Sequence, residues 1–321
     1  MQLPESVRQF IEERADAVGF AALKRAAAAM SGAYREGGAT PLARIPAEER
    51  TAAYLVTRMP ATYAAAFHAL RELSARLPEP PAHILDLGAG TGAASLAARH
   101  WFPAAEITMI ERDPALAEAA RAWLPDARQI AGDATKMDRL PGCDLAIAAY
   151  SLGESGAPMA QRLWQAARIA MLAIEPGTPR GFALVRALRD ELLAAGAHLA
   201  APCPAEGPCP MTGDDWCHFA ARVERSSIHR RVKGGELGYE DEKFSYVGAV
   251  RSPVERAAAR IVRHPRQQPG LITIALCTPD GLREERVTRR EREKFRAARK
   301  AAWGGEWPGT PPSSRADDPA R

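Results

Sequence analysis

A doubly wound α/β sheet is the fold class this sequence predicts, on three observations. From residue 81 onward, apolar runs of strand length alternate with helical segments. A glycine loop, Gly88-Ala89-Gly90-Thr91-Gly92, follows the first of those runs, and carboxylates stand at the ends of the next strand regions.

The elements follow in chain order. Residues 5 to 80 repeat apolar positions at three- and four-residue spacing, as in Val18, Ala21, Leu23 and later Ala65, Phe67, Leu70, Leu73, which predicts an amphipathic helical region. Pro78-Glu79-Pro80-Pro81 cannot continue a helix, and a new domain opens with the apolar run His83 to Leu87. Thereafter the pattern predicts a helix over 92–100, a strand Ile107–Ile110, a helix over 114–123 and a strand Asp144–Tyr150. A helix over 157–174, a strand Gly181–Arg186 and a helix over 187–195 complete the series. A stretch rich in Pro, Gly and Cys interrupts at 201–217. Two strand-like runs follow, Phe244–Val250 and Leu271–Cys277, with Val254–Val262 a candidate crossover helix. Beyond Trp303 the Gly, Pro, Ser and charged residues predict disorder. The expected division is an N-terminal helical region at 1–80, a cofactor-binding domain at 81–280 containing a cysteine and basic loop at 200–235, and a basic helix with a disordered tail at 281–321.

With 321 residues, 46% of them hydrophobic, the chain can bury a sizeable core. No window offers the eighteen or more consecutive apolar residues of a membrane span, and the start Met1-Gln2-Leu3-Pro4-Glu5 lacks a basic-then-apolar order. The sequence therefore predicts a cytoplasmic protein with no membrane partner. The net charge of +4 is mild, but arginine crowds into Arg222–Lys233 and Arg283–Lys300. Two readings stand: RNA contact, or solvated faces on which Glu284, Glu285, Glu291 and Glu293 pair with the second run. Five cysteines without a secretory start argue against a disulfide framework.

Glycine permits a tight turn and lets backbone N–H groups approach a ligand, so a strand running into Gly88, Ala89, Gly90 and Gly92 and then a helix is a nucleotide-cofactor loop. With Ala93 in the last small position the glycines also satisfy a dinucleotide pattern. The acidic context favours S-adenosylmethionine (SAM) over NAD: Asp86 precedes the loop, Glu111 closes the second strand where it can accept ribose hydroxyls, and Asp133 follows the third. A dinucleotide would place pyrophosphate on the loop, whereas SAM has none and tolerates acid beside its ammonium. The pattern resembles the class I SAM-dependent methyltransferases, whose Rossmann-like sheet is the fold expected here. The alternative for Asp133 is a helix N-cap.

Cys203, Cys209, Cys217 and Cys277 can close a tetrahedral metal site or hold an iron-sulfur cluster. Short Cys-x-x-Cys knuckles usual for zinc are missing and two of the cysteines precede proline, which favours a cluster. Zinc, with His218 as a substitute ligand, and simple packing are the alternatives. Cys143 reads as a packed thiol. If the last sheet strand is the antiparallel one ending at Cys277, all four thiols meet at the sheet edge opposite the cofactor loop.

Cys203-Pro204, Cys209-Pro210, Trp216-Cys217-His218-Phe219, Arg222-Val223-Glu224-Arg225 and the block Tyr239 to Val247, taken with the glycine loop and Cys277, resemble the methyltransferase-like proteins associated with the mitochondrial small ribosomal subunit, in the form of a bacterial member. The resemblance covers about residues 40 to 280. It implies a SAM-binding protein with a 4Fe-4S cluster on Cys203, Cys209, Cys217 and Cys277, acting on the small ribosomal subunit or its rRNA and monomeric off the ribosome. Ala149-Tyr150-Ser151-Leu152-Gly153-Glu154 is not the Asn-Pro-Pro-Tyr kind of motif that holds a flipped base, and no spare cysteine pair is visible for pyrimidine methylation. No catalytic residue is assigned. Tyr150 and Glu154 are the candidates for substrate contact, with strand end and helix charge as their alternative roles. Three functions follow: an rRNA methyltransferase, a non-catalytic SAM-binding assembly factor, and a small-molecule methyltransferase, the last disfavoured by arginine clustering away from the pocket.

Overall fold

The computed structural model of the chain describes residues 1–35 and 44–308, so most of the expected tail lies outside the described residues. Four helices come first: α1 (Glu5–Val18), α2 (Phe20–Arg35), α3 (Ala47–Thr57) and α4 (Met59–Ser74). In α1, Val7, Ile11 and Ala15 recur every four residues and are its buried face. Pro60 in the first turn of α4 costs no hydrogen bond there.

The main sheet is built from β1 (His83–Leu87), β2 (Glu106–Glu111), β3 (Arg128–Ala131), β4 (Cys143–Ala149), β5 (Ala167–Pro176), β6 (His198–Ala201), β7 (Phe219–Glu224) and β8 (Tyr239–Val250). Between them run α5 (Ala93–Trp101), α6 (Pro114–Arg121), α7 (Leu152–Ser155), α8 (Ala157–Ala166), α9 (Pro179–Ala194) and α10 (Ser227–Lys233). The order is β3-β2-β1-β4-β5-β8-β6, with β7 also paired to β8. The first five strands are mutually parallel, whereas β8 is antiparallel to β5, β6 and β7. One face carries Ile84, Ile107, Leu145, Ile147, Leu172 and Ile174 into a core shared with the N-terminal helices. The other carries Leu85, Leu87, Ile110, Met171 and Ala173 against residues of α8 and α9. Burial on both faces explains why these strands show no alternation.

A second sheet follows: β9 (Ala259–Ile261), β10 (Arg266–Gln268), β11 (Leu271–Thr278), β12 (Gly281–Thr288) and, after α11 (Arg292–Lys300), β13 (Glu306–Trp307). Its own core joins Ile261, Ile272, Ile274, Leu276, Val287 and Trp307 to Ala298 of α11.

Several expectations are corrected here. Residues 167–174, read as the end of a helix, lie in β5, and 181–186, read as a strand, lie in the first half of α9. Ala, Met and Leu of β5 are good helix formers, and a strand buried on both faces offers no period to separate it from a buried helix. The true start of α9 is marked by Thr178, whose hydroxyl accepts the Gly181 N–H. Leu271–Cys277 lies in the second sheet, so the last antiparallel strand of the main sheet is β8. The segment 254–262 holds β9 instead of a helix, and 281–288 is a strand ahead of the basic helix.

Leu172 lies fully buried at the centre of β5. Leu172→Ala is expected to destabilise the fold by about 2–5 kcal/mol, read as a lower urea midpoint at an unchanged slope. A loss under about 1 kcal/mol would contradict burial of this strand on both faces.

Candidate cofactor loop and cysteine cavity

Strand β1 delivers the glycine loop to the carboxyl edge of the sheet, at the point where strand order reverses between β1 and β4. The Gly88 and Ala89 N–H groups both donate to Ile110 O, at 2.9 and 3.1 Å, which ties the loop to β2. Gly88 and Gly90 have φ of 65° and 56°, a left-handed conformation that side chains rarely adopt. At Gly88 there is also no room, since a Cβ would lie 2.7 Å from Ser151 Cβ in the loop after β4. Next to Gly90 stands Tyr54 of α3, whose hydroxyl would be 3.4 Å from an added Cβ.

The carboxylates fall into three situations. Glu111 accepts the Gly90 N–H on Oε2 and the Asp113 N–H on Oε1, both at 2.7 Å, and so fixes the loop against the end of β2. Asp86 is buried and accepts both the Ser95 hydroxyl (2.6 Å) and the Ser95 N–H (3.1 Å), clamping the strand to α5. Asp133 stands at the end of β3 and accepts the Thr135 N–H and hydroxyl, capping a short 3₁₀ turn over Ala134–Lys136. The capping role is therefore realised. Ala89, Gly90, Met109 and Glu111 line a pocket with only about 10 Å³ of free space. From α3, Arg50 pairs with Asp113 at 2.6 Å.

On the other side of the loop, Tyr150 has a φ of 58°, a conformation costly for a residue with a side chain. Its hydroxyl donates to Glu242 Oε1 at 2.9 Å, and burial, then the Glu242 charge, raises its pKa well above the usual phenol value. The Arg58 guanidinium lies 5.8 Å from its ring centroid. Glu175, buried at the end of β5, accepts the N–H groups of Leu152 and Gly153. Glu175, Glu242 and Arg58 were not singled out in the sequence, because each acts through a partner far along the chain. The Glu154 side chain lies outside the described residues.

The loop 202–218 leaves β6 at Ala201, level with the middle of β5, and re-enters at Phe219, level with Pro176 at the carboxyl end of β5. It thus flanks the far lateral edge of the sheet and does not lie beneath it, which corrects the expected placement. Four strand spacings separate β1 from β6, roughly 19 Å. Cys203, Cys209, Cys217 and, from the second sheet, Cys277 line one cavity of about 120 Å³. The four thiols share this cavity, although among the described residues no group of three or more His, Cys, Asp or Glu is already gathered as a metal-ligand set. Burial raises the pKa of Cys203 and Cys217 and takes that of Cys277 to about 12, with the neighbouring thiols adding to the rise at each. His218 is buried, stacked on Trp216 with ring centroids 5.1 Å apart, and is not part of the cavity wall. Cys143 is buried at the start of β4.

The basic run after Cys217 is largely engaged within the chain. Arg222 pairs with Asp241, while Arg225 and Lys233 pair with Glu240, so β8 and not the cysteine loop holds them. Arg231 lies over the Phe20 ring at 4.5 Å.

Residues 48–308 match the family described as mitochondrial small ribosomal subunit Rsm22. The human ribosome assembly protein METTL17, mitochondrial, is 28% identical over an alignment, gaps included, of 306 positions that covers 83% of this chain and 65% of that protein. Rsm22-cox11 tandem protein 2, mitochondrial, of Schizosaccharomyces pombe is 24% identical over an alignment, gaps included, of 343 positions that covers 85% of this chain and 46% of that protein. This chain therefore spans less than two thirds of either relative. Among solved structures, precorrin-6y C5,15-methyltransferase from Geobacter metallireducens is similar over 57% of this chain and 86% of that one, at 15% identity and a TM-score of 0.39. Both relatives are described as mitochondrial, which overturns the cytoplasmic expectation. Among the described residues no helix is long and apolar enough to cross a membrane.

Burial moves the Asp86 carboxyl from 3.8 to about 6, opposed by the Ser95 hydrogen bonds and assisted by the Glu111 charge. The folded state favours the protonated form, so this group stabilises fully below its unfolded value and that contribution is lost as pH rises through about 6. Asp86→Asn, neutral at every pH, is expected to gain on the order of 3 kcal/mol near pH 8 relative to the parent and to flatten the pH dependence between 4 and 6. Urea unfolding at pH 4, 6 and 8 reads both effects. An Asn variant that keeps the parent's pH profile would contradict the assignment.

Proposed function

This chain belongs to the Rsm22 family, and from that premise we propose that it is a SAM-binding methyltransferase of the small ribosomal subunit with rRNA as its substrate. The observation that carries the cofactor reading is Glu111, whose carboxylate reaches the Gly90 N–H at the sheet's switch point. There it is placed to exchange backbone donors for two ribose hydroxyls. Entry of the cofactor requires Tyr54 and Arg50 on α3 to move away from Gly90 and Asp113. When bound, SAM supplies an electrophilic methyl group. Asp86 keeps the loop in register through Ser95, Glu111 and Asp133 would hold the cofactor from the ends of β2 and β3, and Tyr150 with Ser151 would form the wall on which a substrate rests. The Ser151 hydroxyl, donating to Leu87 O at 2.8 Å, fixes that wall to β1.

The cysteine cavity belongs to the same proposal. Its four thiols come from two separate segments and suit a 4Fe-4S cluster, with zinc the alternative, in a cysteine-rich insertion at the sheet's lateral edge. A second reading, a non-catalytic SAM-binding assembly factor, is favoured by one observation: the Tyr150 hydroxyl is already committed to Glu242. The relative described as a ribosome assembly protein accords with it. A small-molecule methyltransferase is the least supported, since no part of the family's description points to one.

Mapping methylated nucleotides in small-subunit rRNA with and without the gene separates these. Loss of one methyl group is expected. An unchanged map with fewer assembled small subunits would overturn the enzyme in favour of the assembly factor, and no change in either would overturn the ribosomal assignment.

A further inference from the structure

The cysteine cavity has a second feature besides its thiols: every charged side chain in its wall is an arginine, namely Arg186, Arg189 and Arg260. Arg260 is 1% exposed, and register places it directly opposite Cys277 across β9 and β11, on the same face of the second sheet. Its Nε donates to Pro202 O at 3.0 Å and its Nη1 to Glu72 and Gly304 O, while Nη2 is buried without a partner. Arg189 is 5% exposed, lies against the Cys203 thiol and donates to Ala205 O and Gly207 O, which pins the loop between Cys203 and Cys209. Its Nε is likewise buried and unpartnered.

Glu72 pairs with Arg260 and Asp190 with Arg189, yet one nitrogen of each guanidinium stays buried without a partner, and that cost disappears if an anion with acceptor sulfurs occupies the cavity both arginines line. Four thiolates outweigh the charge of a zinc ion or of an oxidised 4Fe-4S core, so either centre would be such an anion. On the reading that the cysteines hold a metal centre, we propose that Arg189 and Arg260 compensate its charge and donate hydrogen bonds to its sulfurs. They are positioning residues that make the centre easier to reduce and harder to lose. Reduction adds one electron to the buried anion, and a fixed guanidinium stabilises the reduced form more than the oxidised one.

The test uses the full chain, reconstituted without oxygen with iron and sulfide, for the parent, Arg189→Gln, Arg189→Lys and Arg186→Gln. Iron and sulfide content, visible absorption and midpoint potential are measured, with far-ultraviolet circular dichroism to confirm folding. Arg189→Gln is expected to shift the reduction equilibrium at least tenfold toward the oxidised form, 59 mV for one electron, while Arg189→Lys keeps most of the parent's value. Arg186→Gln removes a charge from the same wall at the cost of a single loop contact, to Met211 O, and is expected to shift it in the same direction by less. Unchanged potentials in both neutral variants, or equal shifts for Gln and Lys at 189, would overturn the proposal. If the parent takes up no iron, cadmium titration replaces the potential, with a tenfold weaker affinity expected for Arg189→Gln and an equal one overturning the idea. Uptake of neither metal by the parent would instead remove the metal reading itself, and this proposal with it.

Discussion

Strand β8 is the constraint on which the rest of the structure depends. It runs against β5 from Phe244 to Val250, and along its other edge it pairs first with β7 and then with β6. Its side chains reach both candidate sites. Glu242 receives the Tyr150 hydroxyl beside the glycine loop, and the Ser245 hydroxyl donates to Cys217 O at 2.8 Å in the cysteine loop. Between them Gly177 donates to Lys243 O and accepts the Trp216 indole N–H, so the end of β5, the strand and the loop are tied together. An antiparallel strand inserted late in the chain thus joins two sites roughly four strand spacings apart. This gives a physical route by which order in one could be felt in the other.

How much of this was legible in the sequence depends on the range of the interaction. The loop Gly88–Gly92, the acids Asp86 and Glu111 and the helix after them are local, and each sits where periodicity and glycine placement put it. The boundary between α8 and β5 was not legible, because Ile169 to Glu175 is buried on both faces and its Ala, Met and Leu residues suit a helix equally well. The partnerships of Tyr150 with Glu242 and of Arg260 with Glu72 span 92 and 188 residues, and no local pattern announces them. Cys277 was recognised as part of the cysteine set, but its strand was assigned to the wrong sheet. The hairpin of β11 and β12 and the pairing of β9 with β13 are set by Ile272, Ile274 and Trp307 packing together.

Among the described residues, several basic side chains are engaged in ion pairs within the chain. Arg222, Arg225 and Lys233 hold β8, Arg168 bridges Asp144 and Glu79, and Glu285 gathers Arg283 and Lys294. The more exposed of these pairs, such as Arg222 with Asp241, contribute little stability each.

The central claim, that the glycine loop with Glu111 holds SAM, is tested most directly by calorimetric titration. The parent chain is predicted to take up one SAM and no NAD, and Gly90→Arg, which fills the space beside Tyr54, to take up neither while keeping its fold. Binding of NAD without SAM, or an unchanged SAM affinity in Gly90→Arg, would contradict the account.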